Sequence, residues 1–113
     1  MVTAATTRLQ DVSLPGLSVD SQFSLAYGAA HSLALAALRW HGYRSDSRYL
    51  VFQCLQHTVG LETSKWRVLD KCHHCRNLAE YEGHLEIDKQ LLTELISITH
   101  ELSALVLALA PIE

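Results

Sequence analysis

The chain has 113 residues, a length that suits one domain and leaves no room for a second. Hydrophobic residues make up 49% and charged residues 19%, which excludes the disordered, collagen-like and low-complexity classes. With a formal net charge of -3, the chain lacks the excess of basic residues that is typical of a general nucleic-acid binder. Composition therefore predicts a single globular domain with one hydrophobic core.

The charges are unevenly distributed along the chain. Residues 1–77 hold eight of the nine Lys and Arg against five acids, and residues 78–113 hold one Lys against seven acids, giving +3 and −6. This asymmetry is compatible with a local basic surface on an acidic molecule, or with an ordinary solvated helix face. Both interpretations concern the same four side chains: Lys65, Arg67, Lys71 and Arg76.

Cysteine content and apolar runs bear on the cellular compartment. Three cysteines, Cys54, Cys72 and Cys75, are an odd number for a disulfide scaffold, and the first residues lack the pattern of a secretion signal. The longest apolar stretch, residues 104–110, is far shorter than the roughly 20 residues needed to cross a bilayer. We therefore expect a reduced, cytoplasmic protein with no membrane partner.

The N-terminal part of the chain divides at about residue 20. Residues 1–19 are rich in Thr, Ser and Ala and contain the Pro15-Gly16 turn signal, which predicts an arm or a short helix followed by a loop. Residues 20–113 then form the main domain. Its first helix is predicted to run from a cap at Asp20 or Ser21 to Trp40, just before Gly42.

Two further helices follow in the middle of the chain. The second is predicted to start after the cap at residues 45–47 and to end near Gly60. The third is predicted to begin at Thr63 or Ser64 and to end at Gly83, a typical C-terminal signal.

The fourth predicted helix has the strongest pattern. It starts at about Glu86 and ends before Pro111, and its leucines and isoleucines recur at steps of four and three. No segment alternates with period two for long enough to predict a strand, and short connections favour antiparallel neighbours. The predicted fold class is all-α: an antiparallel up-and-down four-helix bundle, with scope for a short extra N-terminal helix.

The third predicted helix carries an unusual polar face. At 100° per residue, one side presents an apolar stripe of Val68, Cys72, Cys75 and Ala79. The other side gathers five polar residues within roughly 100° of one another, flanked by Tyr81: His73, Arg76, Asn77, Glu80 and His84. An Arg beside an Asn suits a phosphate, and a nearby His can move a proton near neutral pH. Alternatively, Arg76 and Glu80 form an ordinary surface ion pair.

Residues 72–75, Cys-His-His-Cys, invite comparison with a zinc site. A closed zinc site generally joins two such pairs from separate segments, and the sequence has no second pair with ligand spacing. On one helix, moreover, the two cysteines and the two histidines point in different directions. We therefore predict small buried hydrophobic residues here, with no metal and no cofactor.

Two more polar residues, Tyr27 and His31, interrupt the alanine-rich face of the first predicted helix. They are one helical turn apart. We expect either that they reach the polar face of the third helix, or that His31 is partly buried beside a hydrogen-bonded partner.

Residues 76–83, Arg-Asn-Leu-Ala-Glu-Tyr-Glu-Gly, resemble the HEPN superfamily, the higher-eukaryote and prokaryote nucleotide-binding domains. Residues 26–31, 41–44 and 69–71 are similar to small bacterial members of the same group. The resemblance covers about residues 20–110. It implies an up-and-down bundle, usually a dimer, whose Arg-containing helices face each other across a cleft that binds RNA or a nucleotide.

The resemblance also implies roles for particular residues. Active members cleave RNA without a metal by means of an Arg, a polar residue directly after it, and a His that four to six residues separate from the Arg. Arg76 and Asn77 match the start of that motif, whereas His84 comes one residue too late and Tyr81 occupies the nearest gap position. These four residues are the candidate catalytic set. The candidate ligand-binding residues are His73, Arg76, Asn77, Glu80, Tyr27 and His31.

Three functions are consistent with the sequence. The first is a HEPN-like homodimer that serves as an RNA- or nucleotide-binding or accessory subunit, in a toxin–antitoxin or nucleotidyltransferase-associated system with a nucleotidyltransferase-like partner. The second is a metal-independent endoribonuclease that uses Arg76 and Asn77. The third is a structural or partner-binding helical bundle whose polar face forms only ion pairs.

Overall fold

A computed structural model describes residues 2–42, 48–83 and 88–109. These residues form helices and connecting turns and contain no strand, so the predicted all-α fold class is confirmed. The helices are α1 (Val2–Asp11), α2 (Val19–Trp40), α3 (Arg48–Gln53), α4 (Leu55–Thr58), α5 (Thr63–Glu82) and α6 (Lys89–Leu107). The short extra N-terminal helix is present as α1.

Helix α2 is the centre of the bundle and contacts each of the other five helices named above. Its N-cap is Ser18, whose hydroxyl accepts the Ser21 N–H at 3.1 Å, so the predicted cap at Asp20 or Ser21 was too late. Asp20 instead lies in the first turn, where its carboxylate interacts favourably with the helix dipole. The predicted end at Trp40 is confirmed.

The predicted second helix is two short helices, α3 and α4, separated at Cys54. The carbonyl of Cys54 accepts the N–H groups of both His57 and Thr58, at 3.0 and 2.9 Å, in a tight turn that starts α4. Phe52 and Leu55, on the two sides of this turn, are both fully buried. The cap predicted at residues 45–47 lies outside the described residues.

The two long C-terminal helices begin and end close to the predicted positions. Helix α5 starts at Thr63, and Gly83 follows it with a φ of +85° that favours glycine. Helix α6 starts at Lys89, where the Asp88 carboxylate accepts the Leu91 N–H at 2.7 Å. The predicted start at about Glu86 falls among residues 84–87, which the structure does not describe.

The hydrophobic core lies between α2 and the helices around it. Its largest fully buried side chains are Phe23, Leu33, Phe52, Leu55, Leu61, Leu69, Leu95 and Leu102. Helix α1 adds Ala5 and Leu9, and Val12 follows directly after it, so the N-terminal segment packs into the same core. Among the described residues, no helix combines the length and apolar character that a membrane span requires.

Candidate functional site

Helix α5 turns to the core a face that coincides only in part with the predicted one. Its buried residues are Leu69, Cys72 and His73, whereas Val68 and Cys75 from the predicted stripe are only partly buried. The prediction that His73 lies on an exposed polar face was therefore wrong. The core-facing side is rotated toward His73, because hydrogen bonds to both ring nitrogens make burial of this polar side chain tolerable.

His73 joins α5 to α2 through a short hydrogen-bond chain. Its Nδ1 lies 2.9 Å from the Tyr27 hydroxyl, and its Nε2 lies 3.2 Å from the Asn77 amide nitrogen. With the amide assigned in this orientation, Asn77 donates to Nε2, so Nδ1 carries the ring proton and donates to the phenol oxygen. Burial lowers the pKa of His73 and so favours the neutral form of the ring.

Arg76 lies one helical turn beyond His73, in two interactions at once. Its guanidinium carbon is 5.1 Å from the centroid of the Tyr27 ring, a cation–π geometry, and Nη2 is 3.6 Å from Glu80 Oε1. The ion pair predicted as an alternative for Arg76 and Glu80 is present. It is not isolated on an outer surface, because Arg76 also covers the ring of a nearly buried tyrosine from α2.

An open groove of about 450 Å³ lies over α2 beside Arg76. We call it the arginine groove; it is lined by Arg8, Ser24, Leu25, Tyr27, Gly28, His31, Ser32 and Arg76. Helix α2 supplies most of the lining, and α1 and α5 each contribute one arginine. Arg8 Nη1 donates to Ser32 Oγ at 3.3 Å. The Arg8 side chain passes close to Gly28, where a Cβ atom would lie 3.8 Å from Cδ.

His31 is half-buried at the inner side of this groove. Its ring stacks on Tyr27 at a centroid distance of 6.4 Å and meets the edge of Phe52 at 6.1 Å. Burial and, secondarily, the positive charge of Arg76 lower the pKa of His31. At neutral pH the groove therefore contains two guanidinium groups and one neutral imidazole.

Several predicted site residues converge, and others do not. Tyr27 reaches α5, where it contacts His73 and Arg76. His31 is partly buried against Tyr27 and lines the same groove as Arg76. Tyr81 points into solvent with 91% of its surface exposed and does not line the groove. His84 lies outside the described residues.

Sequence reasoning missed Arg8, the second arginine of the groove. Residues 1–19 were predicted to form an arm or a short helix, and no residue among them was named as a candidate for the site. A signal was present, because Ala5, Leu9 and Val12 have the i, i+4, i+7 spacing of an amphipathic helix. That spacing buries all three side chains and leaves Arg8 at the surface beside α2.

The Cys-His-His-Cys segment does not form a ligand cluster. Cys72 is fully buried, His74 is exposed, and burial raises the pKa of the Cys72 thiol to about 12. Within residues 2–42, 48–83 and 88–109, no group of three or more His, Cys, Asp or Glu side chains is placed to hold a metal ion.

No family model, curated protein or solved structure shows significant similarity to the chain. The resemblance to the HEPN superfamily therefore stays a prediction from the motif at residues 76–83. The same holds for the nucleotidyltransferase-like partner and the toxin–antitoxin context that the resemblance implies.

Proposed function

We propose that the protein binds the phosphate groups of RNA or of a nucleotide in the arginine groove. One observation carries the proposal: Arg8 of α1 and Arg76 of α5 line a single groove together with Ser24, Ser32 and His31. Guanidinium groups present planar forks of donors that match phosphate oxygens, and hydroxyl groups add further donors.

The charge balance of the groove supports an anionic ligand. No carboxylate belongs to its lining, although the molecule as a whole has a net charge of -3. Arg8 donates to a neutral hydroxyl, and that bond does not neutralise its positive charge. An anion between the two guanidinium groups gains charge-assisted hydrogen bonds that a neutral ligand does not.

Binding of a short single-stranded RNA, followed by fluorescence anisotropy at low salt, tests this proposal. Arg76→Ala and Arg8→Ala are each expected to weaken binding by roughly tenfold or more, as expected for loss of a charged hydrogen bond. Arg39→Ala on α2 removes an exposed arginine outside the groove and serves as the matched control. Equal binding by wild type and Arg76→Ala would overturn the proposal.

We also propose that the chain forms a homodimer through the outer face of α5. This face consists of exposed side chains at alternating steps of four and three: Arg67, Lys71, His74, Leu78 and Tyr81. It is basic toward its N-terminal end, and the exposed Glu82 lies at its C-terminal end. A two-fold axis that passes between residues 76 and 77, close to Leu78, places Lys71 of one copy beside Glu82 of the other.

Light scattering of the purified protein tests the dimer. Leu78→Asp places a charge at the centre of the proposed interface and is expected to give monomers. Leu107→Asp is the control, because Leu107 is similarly exposed on α6, at 61% against 56% for Leu78. If Leu107→Asp were monomeric and Leu78→Asp stayed dimeric, the interface would lie on α6. A monomeric wild type would overturn the proposal of a dimer.

Metal-independent RNA cleavage is a second candidate function, favoured by the position of His31. A neutral imidazole in the same groove as Arg76 has the protonation state of a general base, and the guanidinium can stabilise charge developing on a phosphate. This arrangement replaces the predicted roles of Tyr81 and His84. RNA cleavage in EDTA that is lost in His31→Ala and retained in His74→Ala would support it, whereas intact RNA at pH 6 to 8 would exclude it.

A further inference from the structure

A second recess adjoins the arginine groove and shares two of its side chains. It has a volume of about 290 Å³, and we call it the acidic recess; it is lined by Asp20, Phe23, Ser24, Arg76, Ala79 and Glu80. Ser24 and Arg76 line both spaces. The two spaces therefore meet at Arg76, with guanidinium groups on one side and two carboxylates on the other.

We infer that the acidic recess binds the ribose hydroxyls of a ligand whose phosphate lies in the arginine groove, so that the ligand class is a ribonucleotide or RNA. This inference rests on the proposed function and deepens it. In a nucleotide the phosphate and the ribose are covalent neighbours, and two binding spaces with a common wall match that connection.

Carboxylates are suitable acceptors for the ribose. A carboxylate accepts hydrogen bonds only, and the vicinal hydroxyls of ribose offer two donors. Acidic side chains bind the ribose 2′-hydroxyl in dinucleotide-binding folds by the same chemistry. The 2′-hydroxyl is also the group by which a protein distinguishes RNA from DNA.

The local charges favour a neutral hydroxyl over a cationic amine in this recess. The Glu80 carboxylate already pairs with Arg76 at 3.6 Å. Asp20 lies in the first turn of α2, where the positive end of the helix dipole offsets its charge. Arg76 and the helix dipole compensate much of the charge of these two carboxylates, which reduces their attraction for a cationic amine. Their oxygens can still accept hydrogen bonds, so a neutral hydroxyl is the favoured partner.

The test uses three probes against the full chain at low salt: adenosine 5′-monophosphate, its 2′,3′-dideoxy analogue and inorganic phosphate. In the wild type, the ribonucleotide is expected to bind roughly tenfold more tightly than the dideoxy analogue, as expected for hydrogen bonds to charged acceptors. Titration by calorimetry or by NMR shifts of the His31 ring gives the three affinities.

The carboxylate variants give the decisive comparison. Asp20→Asn and Glu80→Gln are each expected to lose most of the preference for ribose. Glu80→Gln is also expected to bind inorganic phosphate more tightly, because it releases Arg76 from its ion pair. Glu62→Gln changes an exposed carboxylate outside both spaces; it is the control and is expected to keep the preference. Circular dichroism of Asp20→Asn verifies that α2 stays folded.

The outcomes separate the two proposals. Equal affinities for the ribonucleotide and the dideoxy analogue, with phosphate binding intact, would overturn the ribose inference alone. A preference that survives both Asp20→Asn and Glu80→Gln would do the same. No measurable binding of any of the three probes would overturn both the inference and the proposed function.

Discussion

Helices α5 and α6 are almost equal in length, at 20 and 19 residues, but they differ in what they bury. Helix α6 places eight residues in the interior, and its buried Thr99 satisfies its hydroxyl within the helix by donating to the Leu95 carbonyl at 2.6 Å. Helix α5 buries only three residues, and one of them is His73. We conclude that α6 mainly holds the bundle together, whereas α5 gives up apolar contact to position polar side chains.

The largest expected effect concerns the apolar interior beside α6. Leu95→Ala removes a fully buried side chain and is expected to lower the free energy of unfolding by about 2–5 kcal/mol. Leu78→Ala on the exposed face of α5 is the counterpart. At a protein concentration low enough to keep the chain monomeric, its expected change is within about 0.5 kcal/mol. Urea denaturation measures both, and similar losses would contradict the division of roles between the two helices.

The next effect concerns the polar contact between α2 and α5. Tyr27→Phe removes the hydroxyl that pairs with His73 Nδ1 and leaves a buried ring nitrogen without that partner, at an expected cost of about 1–3 kcal/mol. His74→Ala, an exposed neighbour of His73, is the control and should leave the free energy of unfolding nearly unchanged. If Tyr27→Phe left the free energy of unfolding unchanged, the hydrogen bond would contribute no stability.

A smaller effect concerns the N-terminal caps of α5 and α6. The Asp88 carboxylate caps α6, whereas the N-cap residue of α5, Glu62, makes no side-chain hydrogen bond to the helix. Asp88→Ala is therefore expected to cost about 1 kcal/mol. Glu62→Ser is expected to stabilise α5 by a few tenths of a kcal/mol or more, because serine is a favourable cap. Thermal denaturation tests both expectations: the melting temperature should fall in Asp88→Ala and rise in Glu62→Ser.

The smallest effect is the dependence of stability on pH. The pKa values of His31 and His73 are lowered by burial, with Arg76 opposing the charge of His31 and Asp70 and Glu80 favouring that of His73. As pH falls below the ordinary value of about 6.5, the unfolded chain binds protons before the native one, so stability is lost. The melting temperature should therefore fall between pH 7.5 and 5.5.

The control for this pH effect is a double variant. Replacing His31 and His73 together by Asn should flatten the dependence of the melting temperature on pH, whatever it does to the melting temperature at pH 7.5. An unchanged slope would show that other groups cause the effect.

The helices were predictable where apolar residues recur at steps of three and four, so that each helix has one apolar and one polar face. The ends of α2, α5 and α6 follow from caps, glycines and spacing that local sequence determines. The separation of α3 from α4 at Cys54 was not predictable, because it depends on how Phe52 and Leu55 fit into the core. No local signal reports that fit.

The candidate site was only partly predictable for a related reason. A helical wheel groups His73 with Arg76 and Asn77, but it assigns a polar residue to the surface unless its partner is known. Tyr27, which makes the burial of His73 tolerable, is 46 positions away in the sequence. Arg8 depends on the docking of α1 against α2, a tertiary contact that the spacing of its apolar residues only hints at.

If the arginine groove binds a phosphate as proposed, the position of Arg8 on α1 links the affinity for that ligand to the docking of the N-terminal helix. A turn containing Pro15 and Gly16 separates α1 from α2, so detachment of α1 would carry half of the positive charge of the groove away with it. By thermodynamic linkage, a bound phosphate must then hold α1 in place. Resistance of the N-terminal segment to a protease could thus report occupancy of the groove without any labelled ligand.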